Sequence, residues 1–199
     1  MKNCKFILPT ILVFVFAISF IQNARAQNRV DRILIDEATR ITRDEFPFFA
    51  ETQKGARVYS INQPSAQMLN AIDSGLRNLF AVAARHGYGR RLNYSDYTIF
   101  IAKPDRMKDF NNQYSPDVAV GAAQYAGSIY DKGGYIYAAG MVLAYKPCAF
   151  IIGDHTRNFE RVSEVVRYEG EHLILYHNDR KLYNETADHS KGGGHPILQ

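Results

Sequence analysis

The sequence contains only two cysteines and no tryptophan in 199 residues. Only Cys148 lies beyond the N-terminal apolar segment. One cysteine cannot form an internal disulfide, so packing or a metal must hold the domain together. Cys148 leads into the apolar run 149–152, which predicts a buried thiol rather than a catalytic nucleophile.

Several catalytic motifs are also absent. The sequence contains no G-x-S-x-G, no phosphate-binding glycine loop and no paired C-x-x-C. The glycine runs at 133–134 and 192–194 do not join a strand to a helix, which argues against dinucleotide binding. Internal repeats, low-complexity tracts and obvious linkers are lacking as well, so a single domain is expected.

A long apolar run occurs only near the N-terminus, from Phe6 to Ile21. Lys2 and Lys5 precede this run, and the small-x-small sequence Ala24-Arg25-Ala26 follows it. This pattern predicts a signal peptide over residues 1–26, export to the periplasm or the medium, and a mature domain over 27–199. An uncleaved anchor is the alternative, but the run is short for a span of ~20 residues. After cleavage no stable membrane span is expected.

The charge balance indicates no polyanionic partner. The formal net charge is +4, but the signal peptide holds three basic residues and no acidic one. The mature chain therefore has 21 basic and 20 acidic residues, and we expect no nucleic-acid partner. Nothing in the pattern indicates an oligomeric state.

The spacing of apolar residues predicts helices over 29–41, 65–84 and 156–178. Aromatic and β-branched runs predict strands at 58–61, 97–102, 135–139 and 150–152. Strands and helices are segregated rather than alternating. The expected fold is therefore a single α+β domain, with a small mixed or antiparallel sheet packed against helices. A glycine-rich tail, 188–199, follows the last helix.

That last helix carries a carboxylate within its apolar face. At ~100° per residue, Glu169 falls in the middle of one stripe. The stripe consists of Phe159, Val162, Val166, Leu173 and Tyr176. A carboxylate there is costly unless it is paired, hydrogen-bonded or bound to a metal. His172 lies one turn on, at the flank of the same face, whereas Glu164 and Glu171 fall outside it and are expected to be solvated.

The segment Tyr168-Glu169-Gly170-Glu171-His172 resembles the H-E-x-x-H helix of the zincin-type metallopeptidases. In that motif two histidines bind zinc and the glutamate takes a proton from water. The resemblance implies that Glu169 is the general base and His172 the second zinc ligand, with Tyr168 in the place of the first. It extends to the element order from Ser65 to Asn178. In the zincins a helix and a small mixed sheet, whose edge strand aligns the substrate, precede the active-site helix.

The third zinc ligand of a zincin comes from downstream, where His189 and His195 are the candidates. His177, at the end of the helix, is also available but is typical of a C-terminal cation. A glycine tract between the two downstream histidines would let both reach one metal. Two assignments remain open: Glu169 is the base, or Glu169, His172, His189 and His195 form a four-ligand set.

Two functions are compatible with these residues. The first is an exported zincin-like protein that acts as a zinc-dependent peptidase or hydrolase on a peptide or protein. The alternative is a catalytically inactive exported protein with a binding or structural role in the cell envelope, which Tyr168 favours. A purely structural explanation also applies: Glu169 would pair with an arginine or a tyrosine, and His172 would be a satisfied core histidine.

Overall fold

The computed structural model describes residues 29–104, 118–121, 135–138, 140–155, 158–188 and 192–198. The predicted signal peptide, residues 1–26, lies outside this range. The chain divides into two units, 1–36 and 37–199. Of the first unit only residues 29–36 are described, and they are helical. None of the helices in the described ranges is sufficiently long and apolar to span a bilayer.

The described residues form four α-helices. They are α1 over residues 29–42, α2 over Ala66–Arg85, α3 over Phe159–Asn178 and α4 over Arg180–Thr186. The three predicted helices are confirmed. The side chain of Ser65 caps α2 by accepting a hydrogen bond from the Met68 N–H. Asn158 caps α3 in the same way through the Arg161 N–H, so that helix begins three residues later than its predicted start.

Within the described ranges, seven strands lie in two sheets. They are β1 (Phe48–Glu51), β2 (Arg57–Ser60), β3 (Tyr97–Ala102), β4 (Val118–Gly121), β5 (Tyr135–Ala138), β6 (Gly140–Tyr145) and β7 (Cys148–Gly153). The main sheet has the order β1-β2-β3-β7-β6, and β4 pairs with β5 in a separate antiparallel sheet. Strands β2, β3 and β7 are parallel, whereas β1 and β6 run antiparallel at the two edges.

The predicted α+β class is confirmed, and the sheet is mixed rather than wholly antiparallel. All four predicted strands exist, but β1, β4 and β6 were not predicted as strands. Strand β1 follows Pro47 in a polar stretch and pairs on one side only, so its sequence is not that of a buried strand. Strand β6 begins at Gly140, a residue that is depleted in strands.

The core lies between the main sheet and the helix pair α2 and α3. Strands β3 and β7 are buried along their whole length, as expected for parallel strands covered on both faces. Helix α3 contacts α2, β6 and β7. Val162, Val166 and Leu173 are the fully buried members of its predicted stripe. Helix α3 therefore places Glu169 between the core and the terminal strand β6.

Candidate functional site

Glu169 lies against the first residue of β6. A Cβ atom built on Gly140 would come 2.6 Å from the Cγ of Glu169, so no larger residue fits at that position. Burial raises the pKa of Glu169 to about 8, because a charged carboxylate loses solvation there. The side chain is thus protonated at neutral pH. A cation placed nearby would favour the carboxylate form and lower this pKa.

His172 and His195 come together from distant parts of the sequence. His172 is 7% exposed, and its ring centroid lies 4.9 Å from that of His195. His195 also stacks on Tyr168, with centroids 4.7 Å apart and planes at 28°. The downstream segment therefore reaches the face of α3 that carries Tyr168 and His172.

Glu171 contradicts its prediction, because it is not solvated but fully buried, at 0% exposure. Its Oε2 lies 2.6 Å from His195 Nδ1, and its Oε1 accepts a hydrogen bond of 2.8 Å from the Ile197 N–H. The prediction failed because it considered only the core stripe, whereas the segment 192–198 covers a second face of α3. The apolar run Leu173-Ile174-Leu175 was the available signal, since three successive apolar residues cover more than one face.

The contact between Glu171 Oε2 and His195 Nδ1 indicates which ring nitrogen of His195 carries the proton. An ionised carboxylate only accepts hydrogen bonds, so Nδ1 carries the proton. In the neutral imidazole the lone pair then lies on Nε2. A carboxylate on the far nitrogen is the usual partner of an imidazole that binds a metal or moves a proton. For His195 this orienting carboxyl group is Glu171.

Of the other two predicted histidines, His189 lies outside the described residues. His177 packs at the end of α3, where its Nε2 is 2.8 Å from the Tyr145 carbonyl oxygen and 3.7 Å from Cys148 Sγ. Burial lowers the pKa of His177, which opposes the predicted cationic role at the helix end. Cys148 is buried as predicted, and burial raises its pKa to about 11.

The spacing of the two imidazoles is compatible with one zinc ion. Zinc binds imidazole nitrogen at about 2.0–2.1 Å, so two rings on one tetrahedral ion have centroids roughly 5 Å apart. The rings of His172 and His195 have this spacing. Across the residues that the structure describes, however, no group of three or more His, Cys, Asp or Glu side chains is arranged to hold a metal. A third nitrogen ligand would have to come from His189.

Comparisons with protein-family models, with curated proteins and with solved structures found no match to this chain. The arrangement of its own residues therefore carries the functional conclusion. The described cluster combines the imidazoles of His172 and His195, the phenol of Tyr168 and the carboxyl group of Glu171. Glu169 lies on the same helix against β6 and has a pKa of about 8. Imidazoles can bind a cation, and a carboxyl group with such a pKa can exchange a proton near neutral pH.

Proposed function

We propose that the chain is an exported zincin-like hydrolase that uses zinc, with His172, His195 and His189 as ligands. The observation that supports this most is the convergence of His172 and His195, with ring centroids 4.9 Å apart. The carboxylate on His195 Nδ1 fits the same role, because metal-binding histidines usually donate their other N–H to such a group. Export follows from the predicted signal peptide over residues 1–26.

In this proposal Glu169 is the general base. A bound zinc ion would polarise a scissile carbonyl and make a water molecule more acidic. Glu169 would accept a proton from an attacking water molecule and would return it to the leaving amine. The pKa of about 8 suits a group that must both accept and release a proton near neutral pH. A cation bound nearby would lower this pKa and so increase the ionised fraction of Glu169 at neutral pH.

A peptide or protein is the proposed substrate. Strand β6 is the last strand of the main sheet and passes Glu169 at Gly140. In the zincins an edge strand aligns an extended substrate beside the active-site helix. The position of β6 next to α3 agrees with that implication of the resemblance.

The alternative proposal is a catalytically inactive exported protein with a binding or structural role in the cell envelope. Tyr168 favours it, because a neutral phenol is a poorer zinc ligand than imidazole, thiolate or carboxylate. The part of the chain that the structure describes offers two imidazoles rather than a three-membered ligand group. Under this alternative Glu171 and His195 only fasten the downstream segment to α3.

The deciding experiment measures the metal content of the mature protein, residues 27–199, purified without a histidine tag. We expect about one zinc per chain in the wild type and loss of that zinc in His172→Ala and His195→Ala, because a catalytic zinc site needs all its protein ligands. His86→Ala is the matched control, since His86 is an exposed residue at the end of α2. His189→Ala tests the ligand outside the described residues.

Glu169→Gln distinguishes the two ligand assignments. If Glu169 is the base, the variant keeps its zinc and loses peptidase activity by about 10²–10⁴-fold. If Glu169 is a ligand, zinc and activity are lost together. A wild type that takes up no zinc after incubation with an excess contradicts the hydrolase proposal and leaves the inactive exported protein.

A further inference from the structure

We infer that Glu171 is a positioning residue. Its buried carboxylate docks the segment 192–198 onto α3 and holds the ring of His195 beside that of His172. The part of this inference that concerns metal binding rests on the proposed function. The docking itself depends only on contacts among described residues.

Both carboxylate oxygens of Glu171 bind the same short segment. Oε2 meets the ring of His195 at 2.6 Å, and Oε1 meets the backbone N–H of Ile197 at 2.8 Å. Hydrogen bonds to a charged group are stronger than those between neutral groups. Two such bonds to residues two positions apart hold the segment in one register. A slip along α3 would leave a buried carboxyl group without hydrogen-bond partners, which is unfavourable.

Apolar packing supplies the rest of the anchor. Ile197 is 5% exposed and belongs to a cluster with Leu79, Ala83, Ile174 and Leu175. These contacts favour docking but do not orient a ring two residues away. The orientation of His195 comes from Glu171 on one nitrogen and from the stacked ring of Tyr168. Tyr168, which replaces the first histidine of the motif, thus contacts the ligand candidate.

Backbone hydrogen bonds and glycine residues determine the chain reversal before His195. Gly193 N–H bonds to the Asp188 carbonyl at 3.2 Å, and Gly194 N–H to that of Thr186 at 3.0 Å. A Cβ on Gly193 would lie 2.2 Å from the Thr186 oxygen, so that backbone approach requires glycine. Gly192 has φ +84°, a conformation that glycine adopts without strain. The glycine tract therefore directs the chain back to α3.

The test replaces Glu171 with Gln in the mature chain. Glutamine has nearly the same size, but it is neutral, and its NH2 group can meet His195 Nδ1 only in the tautomer that protonates Nε2, so the stronger hydrogen bonds to a carboxylate are lost. We expect amide hydrogen exchange at Ile197 to become at least about tenfold faster. We expect zinc affinity to fall by about 10–100-fold, as for other residues that orient a ligand. Glu164→Gln is the control, because Glu164 lies on the same helix, is 44% exposed and pairs only loosely with Arg161, at 3.6 Å.

Unchanged protection of Ile197 in Glu171→Gln, measured by NMR, overturns the inference. If the wild type binds no zinc, the proposed function fails, yet the exchange comparison still decides whether Glu171 docks the segment. If Glu171→Gln does not fold, as judged by circular dichroism, Ile197→Pro is compared with Ile197→Ala. Both variants lose the isoleucine side chain, but only proline also removes the N–H that Glu171 accepts. Faster exchange at Leu198 in the proline variant alone supports the inference, and equal exchange in both overturns it.

Discussion

Glu169 and Glu171 lie two residues apart on α3, on nearly opposite sides of the helix, and their carboxyl groups have opposite environments. Glu171 is hydrogen-bonded by two donors from the segment 192–198. Glu169 faces β6, and burial is the cause of its raised pKa. Environments that differ in this way allow one carboxylate to remain a fixed orienting group while the other exchanges a proton.

Glu169 predicts a pH dependence of the metal-free protein. The folded state holds a proton up to about pH 8, whereas the unfolded chain releases it near pH 4.3. Between these values the folded state binds more protons, so the free energy of unfolding falls as pH rises, by at most about 1.4 kcal/mol per pH unit from this group. Glu169→Gln should remove that slope and should raise stability relative to the wild type at pH 8.

Urea unfolding at pH 5, 6, 7 and 8, with a chelator present, measures this effect. Glu164→Gln is again the control, because an exposed carboxylate on the same helix should leave the slope unchanged. The explanation fails if Glu169→Gln and the wild type have parallel stability profiles across that range.

At the scale of elements, the helix pair α2 and α3 packs closely because glycine lies on each helix. A Cβ on Gly75 of α2 would lie 2.5 Å from the Ser163 carbonyl oxygen and 2.8 Å from Val166 Cβ. A Cβ on Gly170 of α3 would lie 2.5 Å from Leu79 Cδ2, and the next atom, Leu79 Cγ, would be 3.9 Å away. The first contact is with backbone, which cannot move without shifting α3, and the second is with the end of a side chain that can rotate.

This difference predicts unequal effects of alanine. Gly75→Ala should lower the free energy of unfolding by about 1–3 kcal/mol, since overpacking exceeds the helix propensity that alanine adds. Gly170→Ala should cost less than about 1 kcal/mol, because Leu79 can adjust. Chemical denaturation of both variants measures the two values. Equal costs would show that the helices move apart freely and that close packing does not position α3.

Helix α3 and strand β6 illustrate which parts of the fold and of the candidate site can be predicted from sequence. The periodicity of α3 predicted the partly buried Glu169, because its neighbours in the stripe lie within a few turns. Glu171 was assigned to solvent because its partners, His195 and Ile197, are more than 20 residues away in sequence. A residue on a second buried face cannot be recognised until the covering segment is known. Strand β6 was missed for a related reason: a partner strand, rather than its own composition, makes it a strand.

For the whole molecule, a metal would bridge residues that are far apart in the chain. His172 lies on α3, and His195 lies beyond α4 and a glycine tract, so zinc held by both would join the downstream segment to the core. A domain without an internal disulfide has few other long-range constraints. Because a ligand that binds only the folded state stabilises it, zinc at 100 times its dissociation constant should add about 2.7 kcal/mol. For a domain of this size the melting temperature should rise by about 5–10 °C.

Thermal unfolding of the mature chain with chelator, with zinc and with magnesium measures this coupling. The zinc-dependent rise should vanish in His172→Ala and in His195→Ala, and His86→Ala should retain it. Magnesium should have no effect, because it prefers oxygen ligands and the proposed site offers imidazoles. A rise of equal size in His195→Ala would mean that zinc binds without the downstream segment. In that case the ring contacts of His195 would serve packing alone.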